Sequence, residues 1–199
     1  MLDNDAARGR VAAAIDPVAK LLLRFGITAN SVTWVGALAT TAVSLYYIPR
    51  GAFLAAGIWY GLLGTSDLLD GTMARISGTS GRWGAFLDST LDRVVDAAVL
   101  SAMTYYCMAT DQPTWSVAAG FVAIATAQIT SYIRAKAESI GIECKVGIAE
   151  RSERSIIAWL ALVVSGIGIF VIHFALLLLA VASTITVAQR MIHVSKQLS

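Results

Sequence analysis

Residues 66–96 read SDLLDGTMARISGTSGRWGAFLDSTLDRVVD. Asp67 and Asp70 are three positions apart, so on a helix they share a face. Gly71 and Ala74 continue that face, and small residues there let a ligand or another backbone come close. Asp88, Asp92 and Asp96 recur every four residues, again on one helical face. The intervening loop 76–83, ISGTSGRW, is short, which predicts two antiparallel neighbouring helices with converging acidic faces.

The chain around this stretch is strongly apolar. Of its 199 residues 57% are hydrophobic and 14% charged, and the mean hydropathy is +0.69. Soluble domains are about 25% charged, so the composition favours an integral membrane protein of one domain. A formal net charge of +2 does not point to nucleic acid as a partner. Cys107 and Cys144 lie in different segments with no CxxC spacing, so neither a disulfide framework nor a zinc site is expected.

Hydropathy predicts an all-α fold of about six transmembrane spans, each near the length a bilayer core demands. They fall near 31–48, 54–75, 84–108, 115–137, 154–171 and 173–194. Pro49-Arg50-Gly51 and Asp111-Gln112-Pro113 supply turn chemistry, whereas SGIGIFVIHF between the last two spans offers only glycines and His173. Every Lys and Arg except Arg50 falls on the side shared by both termini, which places the termini, loops 76–83 and 138–153 and the acidic faces in the cytoplasm of a cell (plasma) membrane protein. MLDNDAARGR carries no apolar run of its own, so the first span is expected to act as its own insertion signal. Residues 11–25, VAAAIDPVAKLLLRF, space their apolar positions helically, with Asp16, Lys20 and Arg24 on another face. They read as an amphipathic helix along the inner leaflet, with a short extra hydrophobic segment as the plainer reading. The expected organisation is thus 1–30, a cytoplasmic segment with that helix, and 31–199, the membrane bundle.

Four carboxylates brought together at a membrane surface repel one another and are costly to keep. One or two divalent cations resolve this, and oxygen ligands without nearby His or Cys select Mg²⁺ or Mn²⁺ over zinc. Two ions about 4 Å apart form a clamp for in-line displacement at phosphorus, and a carboxylate can serve as general base toward an attacking hydroxyl. Arg75, one turn after Gly71, suits a phosphate oxygen. Three other readings stand beside this one. The acids could pair with Arg75, Arg82 and Arg93 in an inert charge network. The acidic face could instead bind a partner or a divalent cation in a membrane protein without enzymatic activity. The acids could also form a transporter's cation site, although such sites sit near mid-span at broken helices rather than at helix ends.

The pattern Asp67-x2-Asp70-Gly71-x2-Ala74-Arg75-x8-Gly84-x3-Asp88-x3-Asp92 resembles the signature of the CDP-alcohol phosphotransferase family at every fixed position. That family joins a CDP-linked lipid to an alcohol and releases CMP. The resemblance implies that Asp67, Asp70, Asp88 and Asp92 are ligands to two Mg²⁺ or Mn²⁺ ions, with Asp92 also the catalytic base. It implies that Gly71 and Arg75 touch the CDP part of CDP-diacylglycerol, and that the protein is a homodimer. Thr28-Ala29-Asn30-Ser31-Val32-Thr33 resembles the family's Thr-x-Asn-x-x-Thr element, which brings Asn30, Ser31, Val32 and Thr33 to the nucleotide. Asn30 or Ser31 would serve equally as a helix N-cap. Thr79, Ser80 and Gly81 are further candidates for lining the cytidine or diphosphate.

The acceptor is read from a second set. Arg134 and Lys136 end the fourth expected span, Arg151 and Arg154 open the fifth, and Arg190 lies near the end of the sixth. So many cations suit an acceptor that carries its own phosphate, since guanidinium matches phosphate in fork geometry. For each one singly, flanking charge at a membrane is an equal explanation. LDSTLDRVVD, SYIRAKAE and ERSER resemble the actinobacterial branch that uses inositol 1-phosphate, forming phosphatidylinositol phosphate. Ser89 and Arg93 depart from the LDPxADK of the branch that uses glycerol 3-phosphate. An archaeal branch acting on an archaetidyl lipid shares the same motifs.

Overall fold

A computed structural model describes residues 15–79 and 81–198; Ser80 and residues 11–14 of the amphipathic segment fall outside them. The regular structure of the described residues is all helical, with no strand. Residues 15–24 are helical (α1). There follow α2 (Ala29–Tyr47), a 3-10 turn (Ile48–Arg50), α3 (Phe53–Gly64), α4 (Ser66–Ser77), α5 (Arg82–Ala109), α6 (Thr114–Ser139), α7 (Arg151–Gly166) and α8 (Ile172–Leu198). Among the described residues three stretches, Ala29–Arg50, Thr114–Ser139 and Ile172–Leu198, are long and apolar enough to cross a membrane. Large apolar side chains such as Trp34, Val35, Leu38, Ile58 and Phe121 are exposed, the surface of a protein whose solvent is lipid.

The second expected span is not one helix. Thr65 separates α3 from α4, because Thr65 Oγ1 donates to the Leu62 carbonyl and Ser66 Oγ to the Leu63 carbonyl, each at 2.6 Å. Side-chain hydroxyls that bond back to the preceding turn bend or interrupt helices. Asp67 consequently sits in the first turn of a separate helix, where the helix dipole favours negative charge. The fifth span is shorter than expected: α7 ends at Gly166, and Gly168 at φ 99° turns the chain before Ile172.

The chain divides into two compact units, one formed by residues up to Thr40 with Gly61–Val95, the other by Thr41–Tyr60 with Asp96 onward. In the first, Ala19, Ala29 and Met73 are buried together, with Leu22, Leu23, Val32, Leu69 and Ala74 packed around them. A side chain at Gly36 would run into Ser66 Oγ, so α2 and the start of α4 approach closely there. In the second, α6 and α8 pack along their lengths. Ala119, Ala123 and Ala127 give α6 a small-residue stripe, the device by which helices pack in lipid, and Leu176, Leu179 and Ser183 are buried on α8. Arg50 folds back over the Tyr46 ring, 3.9 Å from its centroid.

Candidate active site

The first unit builds an acidic corner from α4 and α5. Gly78 closes α4 in the left-handed region (φ 66°), its N–H reaching the Ala74 and Arg75 carbonyls. Ala85 N–H then bonds the Gly81 carbonyl as α5 begins. This tight reversal sets Asp67, Asp70 and Asp88 together: one carboxylate oxygen from each lies within 4.8 Å of the others. Asp67 is exposed, Asp88 half-buried and Asp70 8% exposed. The set contains only oxygen ligands, which fits a hard divalent cation such as Mg²⁺ or Mn²⁺. Asp92, one turn further along α5, is buried and lies outside that group of three.

The neighbouring positions of the motif divide between access and packing. A Cβ at Gly71 would meet nothing within 4 Å, so the helix surface beside Asp70 is open to a ligand. Ala74 faces the core instead. Arg75 is exposed and its Nη2 donates to Thr72 Oγ1 at 3.0 Å. A Cβ at Gly84 would stand 3.5 Å from Asn30 Oδ1, which brings the start of α5 to the start of α2.

The start of α2 corrects the expected helix cap and shows what Val32 and Thr33 touch. Its cap is Thr28, whose Oγ1 accepts the Ser31 N–H (3.2 Å) and lies 2.8 Å from Ser31 Oγ; neither Asn30 nor Ser31 caps the helix. Val32, expected beside the nucleotide, packs partly buried against the core of this unit. The hydroxyl of Thr33 donates to Asp70 Oδ2 at 2.6 Å, so it orients a carboxylate of the acidic corner. Thr79 hydrogen-bonds within the loop, its Oγ1 2.7 Å from Ser77 Oγ, and Gly81 is exposed; Ser80 lies outside the described residues.

The second unit holds the basic set, and treats its members differently. Lys136 is exposed, Arg151 is half-buried, and Arg134 pairs with Glu138 at 2.9 Å on the surface of α6. Such an exposed pair contributes little. Arg154 is buried: Nη2 meets Asp96 Oδ2 at 2.5 Å and Nη1 donates to the Ala149 carbonyl at 3.1 Å. Arg190 is buried too. Its Nε donates to the Val146 carbonyl (2.8 Å), Nη1 to the Thr130 carbonyl (2.7 Å) and Nη2 to Glu150 Oε1 (3.3 Å). Thr186 Oγ1 accepts the Ala149 N–H at 3.0 Å. A side chain at Gly147 (φ 136°) would collide with Thr186 Cγ2. The connection from α6 to α7 is thereby clasped onto α8. In this loop the exposed pair Glu143–Lys145 (2.6 Å) holds the carboxyl below the usual carboxylate range. Asp96 and Thr186 were given no role from sequence. The every-four spacing after Asp88 and Asp92 was the available signal for the first, and nothing local marked the second.

Similarity to known proteins agrees with this geometry. The family description "CDP-alcohol phosphatidyltransferase" matches residues 26–194. The phosphatidylinositol phosphate synthase of Corynebacterium glutamicum is 38% identical over 184 residues, 92% of this chain and 84% of that protein. The crystal structure of Mycobacterium tuberculosis phosphatidylinositol phosphate synthase with CDP-DAG bound superposes with a TM-score of 0.86 at 36% identity, covering 90% of this chain and 92% of that one. The same enzyme in complex with manganese and citrate gives 0.85 at 36% identity, covering 90% and 88%.

Proposed function

The chain belongs to the CDP-alcohol phosphatidyltransferase family, and from that premise we propose that it transfers the phosphatidyl group of CDP-diacylglycerol to inositol 1-phosphate, yielding phosphatidylinositol phosphate and CMP. The observation that carries the reading is the group Asp67, Asp70 and Asp88, with carboxylate oxygens inside 4.8 Å, beside the open surface at Gly71. Relatives named phosphatidylinositol phosphate synthase support the choice of acceptor.

In this reading Asp67, Asp70, Asp88 and Asp92 hold Mg²⁺ or Mn²⁺. When bound, the ions neutralise charge on the diphosphate and on the departing CMP. Gly71 and Arg75, with Asn30, Ser31, Val32, Thr33, Ser80 and Gly81, form the surroundings of the CDP moiety. Arg134, Lys136, Arg151, Arg154 and Arg190 receive the acceptor's phosphate. Arg154 and Arg190 are the ordered members, since a guanidinium has five N–H groups and their internal partners use only some of them. Asp92 takes the proton from the attacking inositol hydroxyl. That oxygen bonds to the lipid-side phosphorus as the bond from this phosphorus to the CMP oxygen breaks, and CMP leaves with the electron pair. Placement of both substrates and electrostatics account for most of the acceleration.

The same reading gives six crossings, formed by α2, by α3 with α4, and by α5, α6, α7 and α8. Both termini and the acidic corner face the cytoplasm of the cell membrane, α1 lies along the inner leaflet, and two copies associate. The experiment is CMP release by the purified full chain, offered CDP-diacylglycerol with inositol 1-phosphate, glycerol 3-phosphate, serine or free inositol in parallel. Turnover with inositol 1-phosphate alone is expected; preference for glycerol 3-phosphate overturns the acceptor, and no CMP release with any acceptor overturns the enzyme.

A further inference from the structure

Arg154 is 4% exposed, and its one carboxylate partner is Asp96, itself 6% exposed, at 2.5 Å. Two oxygens on opposite branches hold the guanidinium plane: Asp96 Oδ2 on Nη2 and the Ala149 carbonyl on Nη1. Nε is buried and has no hydrogen-bond partner. A buried donor left unsatisfied costs free energy and calls for an explanation, a functional role among them. A small cleft lined by Tyr60, Asp96, Leu100, Arg154 and Ser155 opens beside the pair. Stability alone does not explain this arrangement, because well-packed apolar residues in place of a buried ion pair are often at least as stable.

We propose that Asp96 is a positioning residue for the acceptor substrate: by fixing the Arg154 guanidinium it aims the unspent N–H groups, Nε first, at the acceptor's phosphate. The inference rests on the assignment of Arg154 to that phosphate and adds the residue that sets its geometry. Asp96 stands one turn beyond Asp92 on the same face of α5, so the helix that carries the base also carries the carboxylate that orients the phosphate clamp. A charged partner holds the fork in one plane, which bidentate recognition of phosphate requires.

The test measures KM for both substrates, kcat and the melting temperature of the full chain in detergent for wild type, Asp96→Asn, Arg154→Ala and the double variant. Asp96→Asn is expected to raise KM for inositol 1-phosphate about tenfold, with the KM for CDP-diacylglycerol within about twofold. Arg154→Ala should then add far less in the Asp96→Asn background than in wild type, because the two act through one contact. An unchanged acceptor KM in Asp96→Asn, or a loss shared equally by both substrates, overturns the proposal while Arg154→Ala still raises the acceptor KM. If Arg154→Ala leaves that KM unchanged, the assignment of Arg154 itself falls, and the proposal with it. Should Asp96→Asn melt below the assay temperature, Asp96→Glu takes its place: it keeps the charge but moves it by one methylene, and the same selective rise, or its absence, decides.

Discussion

The acidic corner and the basic clasp manage buried charge in opposite ways. On α4 and α5, carboxylates of like sign gather within 4.8 Å, and one of them takes a hydroxyl from Thr33. Around the α6–α7 connection, cations are met by Asp96, Glu150 and a ring of backbone carbonyls. Like charges so close favour whatever brings positive charge to them; opposite charges already joined hold a shape. The difference separates a region where like charges are held close from one where opposite charges already meet.

Removing divalent metal breaks the comparison most sharply. EDTA is expected to take CMP release to background, and excess Mn²⁺ or Mg²⁺ to restore it, because only the acidic corner depends on the ion. The melting transition of metal-free protein should persist, since the contacts that hold the clasp lie within the chain and none of them needs the ion. Activity that survives EDTA followed by gel filtration into metal-free buffer would show that the carboxylates serve something other than metal.

Next in size is Asp92→Asn. The amide cannot accept the hydroxyl proton as a base, so turnover is expected to fall by about 10²- to 10⁴-fold with helix content and elution volume unchanged. Near-normal turnover removes Asp92 from that role. The clasp has its own counterpart in Arg190→Ala, which strands the Val146 and Thr130 carbonyls and leaves Glu150 without its partner. Stranding buried carbonyl acceptors in this way costs about 1–3 kcal/mol each, read as a lowered melting temperature in detergent together with a larger rise in KM for the acceptor than for CDP-diacylglycerol. A variant as stable as wild type would show that the connection is held without Arg190, by Thr186, the Gly147 contact and Arg154 on the Ala149 carbonyl.

What could be read from sequence follows the range of the forces involved. Asp67, Asp70 and Asp88 are linked by helical spacing and a short loop, all local, so their grouping is legible in the sequence, whereas Asp92, expected with them, lies outside that group of three. The break at Thr65 is not legible, because hydropathy is blind to two hydroxyls that bond back to Leu62 and Leu63. Gly166 at the end of α7 lies against the Leu54 backbone, more than a hundred residues away in sequence, where any Cβ would collide, and nothing local in the sequence marks that contact. Arg190 stands in the sequence as one of five cations near span ends, but its partners Thr130 and Val146 belong to α6 and the following loop, and no periodicity connects them. The pairing of Asp96 with Arg154 lay half in view, since the spacing on α5 marked the acid and the ERSER text marked the cation without joining the two.

The smallest expected effect decides what Thr33 does, and thereby how far the acidic corner is prepared before its ligand arrives. Valine has the shape of threonine without the hydroxyl, so Thr33→Val leaves α2 intact and removes one short hydrogen bond to Asp70 Oδ2. Residues that orient metal ligands typically contribute about tenfold or more to metal affinity. The Mn²⁺ concentration for half-maximal activity should therefore rise by roughly that factor, while the KM for CDP-diacylglycerol at saturating Mn²⁺ stays within about twofold. The opposite pattern, an unchanged Mn²⁺ midpoint with a raised KM for CDP-diacylglycerol, would return Thr33 to the nucleotide and mean that its bond to Asp70 yields when CDP binds. The two substrates of this measurement, ion and lipid, separate a carboxylate that is aimed in advance from one that is aimed only by its ligand.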